Sequence, residues 1–201
     1  MDRHTRDPQD ATLFHTMFTP ITILFAAAAL LPGLASGATL SGLGTISVIN
    51  SSSFTTATPD MSIGCIDAAG RLVMDGCATF HYRDAYPNGI FTNDGNCSFT
   101  NSSQPANTDN HYGASSYAWS CWSHEAVVTD QLYTVDGFAY PFLCQGDVNC
   151  YFDIPSAPSR GGQQLPVWRY TWGSAQPGIP PGHLKTLLLW EPVSSSRSGM
   201  E

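Results

Sequence analysis

The sequence has few charged residues and very few basic ones. Only 12% of its 201 residues are charged, and sixteen aspartates and glutamates outnumber eight lysines and arginines, so the formal net charge is −8. So little positive charge leaves no basic surface for a phosphate backbone, and we therefore expect no nucleic-acid partner. The apolar fraction of 42% excludes a disordered polyelectrolyte. The length is that of one domain, or of one domain with an extension.

The sequence also lacks an apolar run of bilayer length. The central apolar run near the N-terminus, Ile21–Leu31, has eleven residues, whereas a transmembrane helix needs about 20. A proline and a glycine interrupt it, and the small residues 35–38 follow, which is the order found in secretory signal peptides. We therefore expect residues 1–38 to be a signal peptide, with Met17 as an alternative start. A buried helix or an uncleaved anchor is the other interpretation.

The chain that remains after such a cleavage is expected to be secreted, extracellular and free of the membrane. All six cysteines lie in it, and an even number in an exported chain is typical of a disulfide framework. Six cysteines allow 15 pairings, and the short spacings favour pairing between nearest neighbours. The expected disulfide residues are Cys65, Cys77, Cys97, Cys121, Cys144 and Cys150. No C-x-x-C motif is present, so we expect no metal site and no cofactor.

Three N-x-S sequons provide candidate glycosylation sites at Asn50, Asn96 and Asn101. In an exported protein a sequon usually marks a surface loop. Asn96 is the weakest candidate because its sequon contains Cys97, which we expect to be in a disulfide.

Beyond residue 38 no segment has a sustained helical period. Short segments alternate or are continuously apolar between turn formers, which is typical of strands: 44–49, 61–66, 71–74, 78–82, 117–122, 126–134, 138–143, 167–172 and 184–190. The segment 126–134 could instead form a short helix. The pattern predicts an all-β protein, an antiparallel sandwich or small barrel cross-linked by disulfides. We place the β-domain at 39–153 and a Pro/Gly-rich extension with two strands at 154–201.

Motifs of catalysis are incomplete. The segment that begins at His124 resembles the zinc-protease motif H-E-x-x-H, but Val128 replaces the second histidine. A general acid–base pair needs a protonated and a free group within hydrogen-bond reach, and only His81, His124 and Glu125 remain as weak candidates for it. The simpler interpretation is that these are half-exposed strand residues, so no catalytic residue is assigned.

A row of aromatic residues provides the candidate binding site. Trp168, Tyr170 and Trp172 are two residues apart, so in an extended strand their rings project from one face, with Arg169 opposite. Such rings can form a platform for the apolar faces of sugars. The alternative is that the row is packed into the core, as aromatic side chains in sheets often are.

The signal peptide, small size, six cysteines, sequons and low charge together resemble the small secreted cysteine-rich proteins of filamentous fungi. That resemblance rests on architecture up to Asp153 and transfers no functional residues; it implies an effector-like, cell-wall or carbohydrate-binding protein. We expect a non-catalytic β-domain that binds a glycan or a cell-surface protein. The alternatives are a small ribonuclease-like hydrolase with a His/Glu pair, and a structural wall or matrix protein.

Overall fold

The structure is a computed structural model of the chain. It describes residues 39–85, 88–109, 116–125, 131–146, 150–171, 176 and 178–193. The expected signal peptide, 1–38, lies outside these residues. All described residues belong to one compact unit, Ala35–Glu201.

The described residues form strands and a single 3₁₀ turn, Pro59–Met61. The strands are β1 Gly42–Ile49, β2 Ser62–Ile66, β3 Leu72–Val73, β4 Phe80–Arg83, β5 Gly89–Thr92, β6 Gly95–Ser98, β7 Ser120–Trp122, β8 Leu132–Thr134, β9 Leu143–Gln145, β10 Phe152–Ile154, β11 Trp168–Arg169 and β12 Leu184–Pro192. Within the described part of the chain, no helix has the length and apolar character needed to cross a membrane.

Ten of these strands form one curled antiparallel sheet in the order β11-β10-β12-β1-β4-β5-β6-β7, with β2 and β3 branching from β1. The strands β8 and β9 form a separate antiparallel pair. The sheet curls into a half-barrel, which confirms the prediction of an all-β, antiparallel fold cross-linked by disulfides.

The two faces of the sheet have different roles. Alternate residues of β1 and β12, such as Ile46, Val48, Leu188 and Trp190, point into the main core, which the curled sheet encloses. On the outer face, a second apolar cluster that includes Ile49, Phe142, Leu187 and Leu189 covers part of the sheet. The rest of the outer face carries polar and aromatic side chains and contains the candidate sites.

The three disulfides join nearest neighbours in the sequence: Cys65–Cys77, Cys97–Cys121 and Cys144–Cys150. Cys97 and Cys121 lie directly opposite one another on β6 and β7. No cysteine is free. The spacing argument therefore identified the pairing.

The C-terminal segment joins the main sheet. Strand β12 lies between β1 and β10, and β10 spans the boundary expected at 153/154. The Pro/Gly-rich stretch 155–166 ends in contact with β3, because Leu72 and Leu165 exchange two backbone hydrogen bonds of 2.9 and 3.0 Å. Of the segment 126–134, residues 126–130 lie outside the described part and 132–134 form β8.

Candidate functional site

Two of the three residues of the predicted aromatic platform, Trp168 and Tyr170, are described by the structure, and both are buried. Trp168 is 9% exposed and Tyr170 5% exposed. The Trp168 indole Nε1–H donates to the carbonyl of Pro105 at 3.0 Å, and its ring is parallel to that of His183. Buried rings offer no face to a sugar, so these two residues provide no binding platform. Trp172 lies outside the described residues.

Two of the weak catalytic candidates, His81 and His124, lie on the outer face of strands β4 to β7. His81 is exposed on β4, while His124 and Glu125 follow the end of β7, half-exposed and exposed respectively. Among the described residues no hydrogen bond or ion pair joins His81, His124 and Glu125 to one another. The structure therefore brings His81 and His124 to one face, and among the described residues no acid–base pair is formed there.

The strand register aligns four side chains in a row on this face. His81 is opposite Phe91, Phe91 is opposite Asn96, and Asn96 is opposite Trp122. Together with Arg83 and His124, these residues are called the β4–β7 face below. Phe91 and Trp122 are separated by two strand spacings, or about 10 Å.

Each of the two aromatic rings is stacked against a planar polar group. The guanidinium carbon of Arg83 lies 4.3 Å from the centre of the Phe91 ring. The His124 imidazole is nearly parallel to the Trp122 indole, at 11° and 3.6 Å between ring centres. These stacks hold flat groups against the sheet, and Arg83 is exposed while Trp122 and His124 are half-exposed.

Hydrogen bonds fix the His124 ring in one orientation. Its Nδ1 lies 2.9 Å from the carbonyl oxygen of Trp122, which can only accept, so Nδ1 carries a proton. Its Nε2 lies 3.5 Å from the Asn96 side-chain amide nitrogen, which can only donate. A neutral imidazole protonated at Nδ1 satisfies both contacts.

Gly95 allows β7 to approach the preceding turn closely. Its φ is +130°, and a Cβ at this position would lie 2.3 Å from the carbonyl oxygen of Trp122. Only glycine tolerates both the backbone conformation and this contact. The β5–β6 turn can therefore pack directly on the end of β7, where it supports Trp122.

A second polar cluster lies on the outer face at the other end of the sheet. Asp153 on β10 is fully buried, and its two carboxylate oxygens accept hydrogen bonds from Gln176 Nε2 and His183 Nδ1, both at 2.8 Å. Burial raises the pKa of Asp153, the bonds from His183 and Gln176 lower it, and the charge of Asp109 raises it again; the net shift is upward. A buried, perturbed carboxylate is typical of functional sites.

Beside this cluster is an open groove of about 590 Å³, lined by Ser51, Ser52, His183 and Lys185 among others. The Lys185 ammonium lies 3.8 Å from the centre of the Tyr151 ring and 5.1 Å from that of Tyr170. Burial lowers the pKa of Lys185 and raises that of Tyr151. The groove thus combines hydroxyl, imidazole and ammonium groups.

Sequence reasoning missed Asp153, Gln176 and His183. The three residues lie in separate segments, because Gln176 follows Asp153 by 23 residues and His183 follows it by 30. None of them belongs to a recognisable motif. Only the strand register and the loop before β12 bring them together, and neither can be inferred from local patterns.

A comparison of the chain with protein-family models, curated proteins and solved structures found no match. Any function must therefore be argued from the two sites themselves.

Proposed function

We propose that the chain is a secreted, non-catalytic β-domain that binds an extracellular glycan through the β4–β7 face. The observation that carries the proposal is the row of His81, Phe91, Asn96 and Trp122, aligned by the strand register on a face outside the main core. The half-exposed Trp122 indole can pack against the apolar face of a sugar, and the exposed His81 imidazole and Arg83 guanidinium can bond its hydroxyls. Phe91 and Asn96 are 8% and 5% exposed, so they support these groups from beneath and do not contact the sugar.

The spacing of the face favours an oligosaccharide over a single sugar. The Arg83–Phe91 and Trp122–His124 stacks are two strand spacings apart, about 10 Å. A ligand that contacts both stacks must be longer than one pyranose ring. A polysaccharide, such as one in a cell wall, provides a ligand of this length. A ligand of this kind agrees with the resemblance to small secreted fungal proteins.

Two features support export. The three disulfides require an oxidising compartment in most organisms, and the N-terminal residues follow the order of a signal peptide. The binding proposal is favoured over the hydrolase because no hydrogen bond or ion pair joins His81, His124 and Glu125 among the described residues.

The Trp122→Ala variant is expected to lose retention on the polysaccharide that binds the native chain. Trp122 is the largest ring on the face, and loss of a central tryptophan typically costs at least about 2 kcal/mol of binding, or roughly 30-fold in affinity. Retention of the secreted protein on insoluble chitin, cellulose, xylan and β-glucan measures this effect.

The matched control is Met74→Ala, which removes an apolar side chain that is 40% exposed outside the β4–β7 face. Its retention should equal that of the native chain. If Trp122→Ala keeps its melting temperature and binds as well as Met74→Ala, the face does not bind the glycan. If the native chain is retained on none of the four polysaccharides, glycan binding itself is refuted for that set.

The three sequons are expected to differ in occupancy when the chain is exported. Asn50 is exposed, and Asn101 is half-exposed in a turn. Asn96 is only 5% exposed and is enclosed by Trp122 and His124. Because the folded chain leaves no room for a glycan at Asn96, glycopeptide mass spectrometry should find sugar at Asn50 and Asn101 only. An occupied Asn96 in folded protein would contradict the placement of this side chain.

A further inference from the structure

The Asp153 cluster contains three groups in a position to bind one metal ion. One ligand atom from each of Asp109, Asp153 and His183 lies within 4.8 Å of the others. A tetrahedral zinc ion bound at about 2.0–2.2 Å places neighbouring ligand atoms about 3.3–3.6 Å apart. His183 Nδ1 and Asp153 Oδ1 are already 2.8 Å apart. Small side-chain movements would therefore create the coordination geometry.

Neighbouring amides orient the Asp153 carboxylate and hold the backbone of Asp109. Gln176 is fully buried and donates to Asp153 Oδ2, which leaves Oδ1 directed towards His183. Asn107 is 2% exposed; its Oδ1 accepts the backbone N–H of Asp109 at 3.0 Å, and its Nδ2 donates to Gln176 Oε1 at 3.4 Å. Metal ligands in proteins are usually oriented by such secondary hydrogen bonds.

The charge balance of the cluster is an independent argument for a cation. Asp153 is fully buried, and a carboxylate that is ionised in such a position is paired with a positive group or bound to a metal ion. Lys185 faces Asp153 across β10 and β12 in the backbone register, but its ammonium lies over the rings of Tyr151 and Tyr170. The imidazole of His183 is thus the one basic side chain that contacts the carboxylate among the described residues, while Asp109 adds a second acidic group.

The site is also accessible. His183 lines the open groove beside β12, and Asp109 is exposed at the surface. An ion held by these three residues would keep at least one coordination position for water or a further ligand, as zinc sites with three protein ligands do.

We infer that Asp109, Asp153 and His183 form a binding site for a divalent transition-metal ion of the zinc type. One imidazole nitrogen and two carboxylate oxygens suit Zn²⁺, whereas Ca²⁺ and Mg²⁺ prefer ligand sets made of oxygen alone. Binding replaces the Nδ1–H···Oδ1 hydrogen bond with two coordinate bonds. The proton on Nδ1 moves to Nε2 when the ring is neutral, or is released to solvent when the ring is charged.

Titration of the complete oxidised chain, without a histidine tag, with ZnCl₂ tests the site directly. Calorimetry should give one Zn²⁺ per chain. At a free zinc concentration of 100 times Kd, the melting temperature should rise by about 5–10 °C. MgCl₂ and CaCl₂ at the same concentration should leave the melting temperature unchanged.

The key variant is Asp109→Asn, because Asp109 is exposed and its substitution leaves the core intact. We expect it to retain the metal-free melting temperature and to bind Zn²⁺ at least 10-fold more weakly. Asp94→Asn, an exposed aspartate in the β5–β6 turn, is the matched control and should bind like the native chain. His183→Gln removes the nitrogen ligand and should also abolish the one-to-one binding.

Two results would overturn the inference. The first is the absence of heat and of thermal stabilisation with Zn²⁺ up to millimolar concentration. The second is one-to-one binding that persists unchanged in both Asp109→Asn and His183→Gln, which would place the ion elsewhere. Neither result depends on retention by polysaccharides, so this test is separate from that of the proposed function.

Discussion

We expect the Trp119→Ala substitution to lower the free energy of unfolding by about 3–5 kcal/mol relative to the native chain. Trp119 is 2% exposed in the main core, and its ring packs edge-on against Phe99 with 4.9 Å between ring centres. The turn at Gly70 packs directly on the indole, since a Cβ there would lie 2.6 Å from Trp119 Cδ1. Removal of the indole therefore leaves a cavity beside Gly70, which has no side chain to fill it.

Denaturant unfolding measures this loss when the same m-value, the slope of the free energy against denaturant concentration, is used for both proteins. The melting temperature should fall by about 6–20 °C. Trp119→Phe should recover most of it, because the indole N–H is buried and has no hydrogen-bond partner among the described residues. The half-exposed Trp122→Ala is the matched control and should cost about 1 kcal/mol or less. A native melting temperature in Trp119→Ala would place this ring outside the core.

Local patterns predicted the longest strands because a strand depends on few neighbours, but β5, β6 and β10 lie outside every predicted segment. The apolar run 184–190 lies within β12, and 44–49 lies within β1. Within the segments predicted as strands, Phe80, Trp119, Leu132, Phe142 and Leu143 are buried, while Tyr82, Tyr117 and Phe138 are half-buried. Alternation identifies which residues share a face but leaves open how completely distant segments cover that face.

The aromatic row illustrates this limit. Trp168 and Tyr170 contact partners on one face, His183 and Lys185, while Arg169 lies over Phe99 on the other. The two-residue period was therefore informative about the side of the strand. Pro105 and His183, distant in sequence, cover Trp168, and no pattern near residue 168 reports their presence.

The same limit applies to the two candidate sites: the sequence shows some of their residues but not how the strands bring them together. His81 and His124 were recognised in the sequence because histidines are few, yet their alignment with Phe91 and Trp122 comes from the pairing of β4 to β7. Asp153 resembles an ordinary strand residue in the sequence. Its burial and its contacts with Gln176 and His183 depend on β10 pairing with β12, which long-range packing determines.

Loss of the Cys97–Cys121 disulfide is expected to destabilise the chain more than loss of either of the others. Its sequence separation of 24 compares with 12 and 6 for the other two, and the chain-entropy relation then gives about 3.5, 2.9 and 2.3 kcal/mol. The joint replacement of Cys97 and Cys121 by alanine should therefore lower the melting temperature by about 7–14 °C.

The position of this disulfide also links stability to binding. Strand β7 is at the edge of the sheet, where β6 is its neighbouring strand, and the disulfide joins the two strands directly beside Trp122. The Cys97→Ala/Cys121→Ala variant should therefore bind the polysaccharide more weakly even below its melting temperature, because β7 can separate from β6. Joint replacement of Cys144 and Cys150 by alanine is the matched control: it should lower the melting temperature less and leave retention intact. Equal losses of retention in the two variants would indicate that binding follows global stability and does not require β7 to be held against β6.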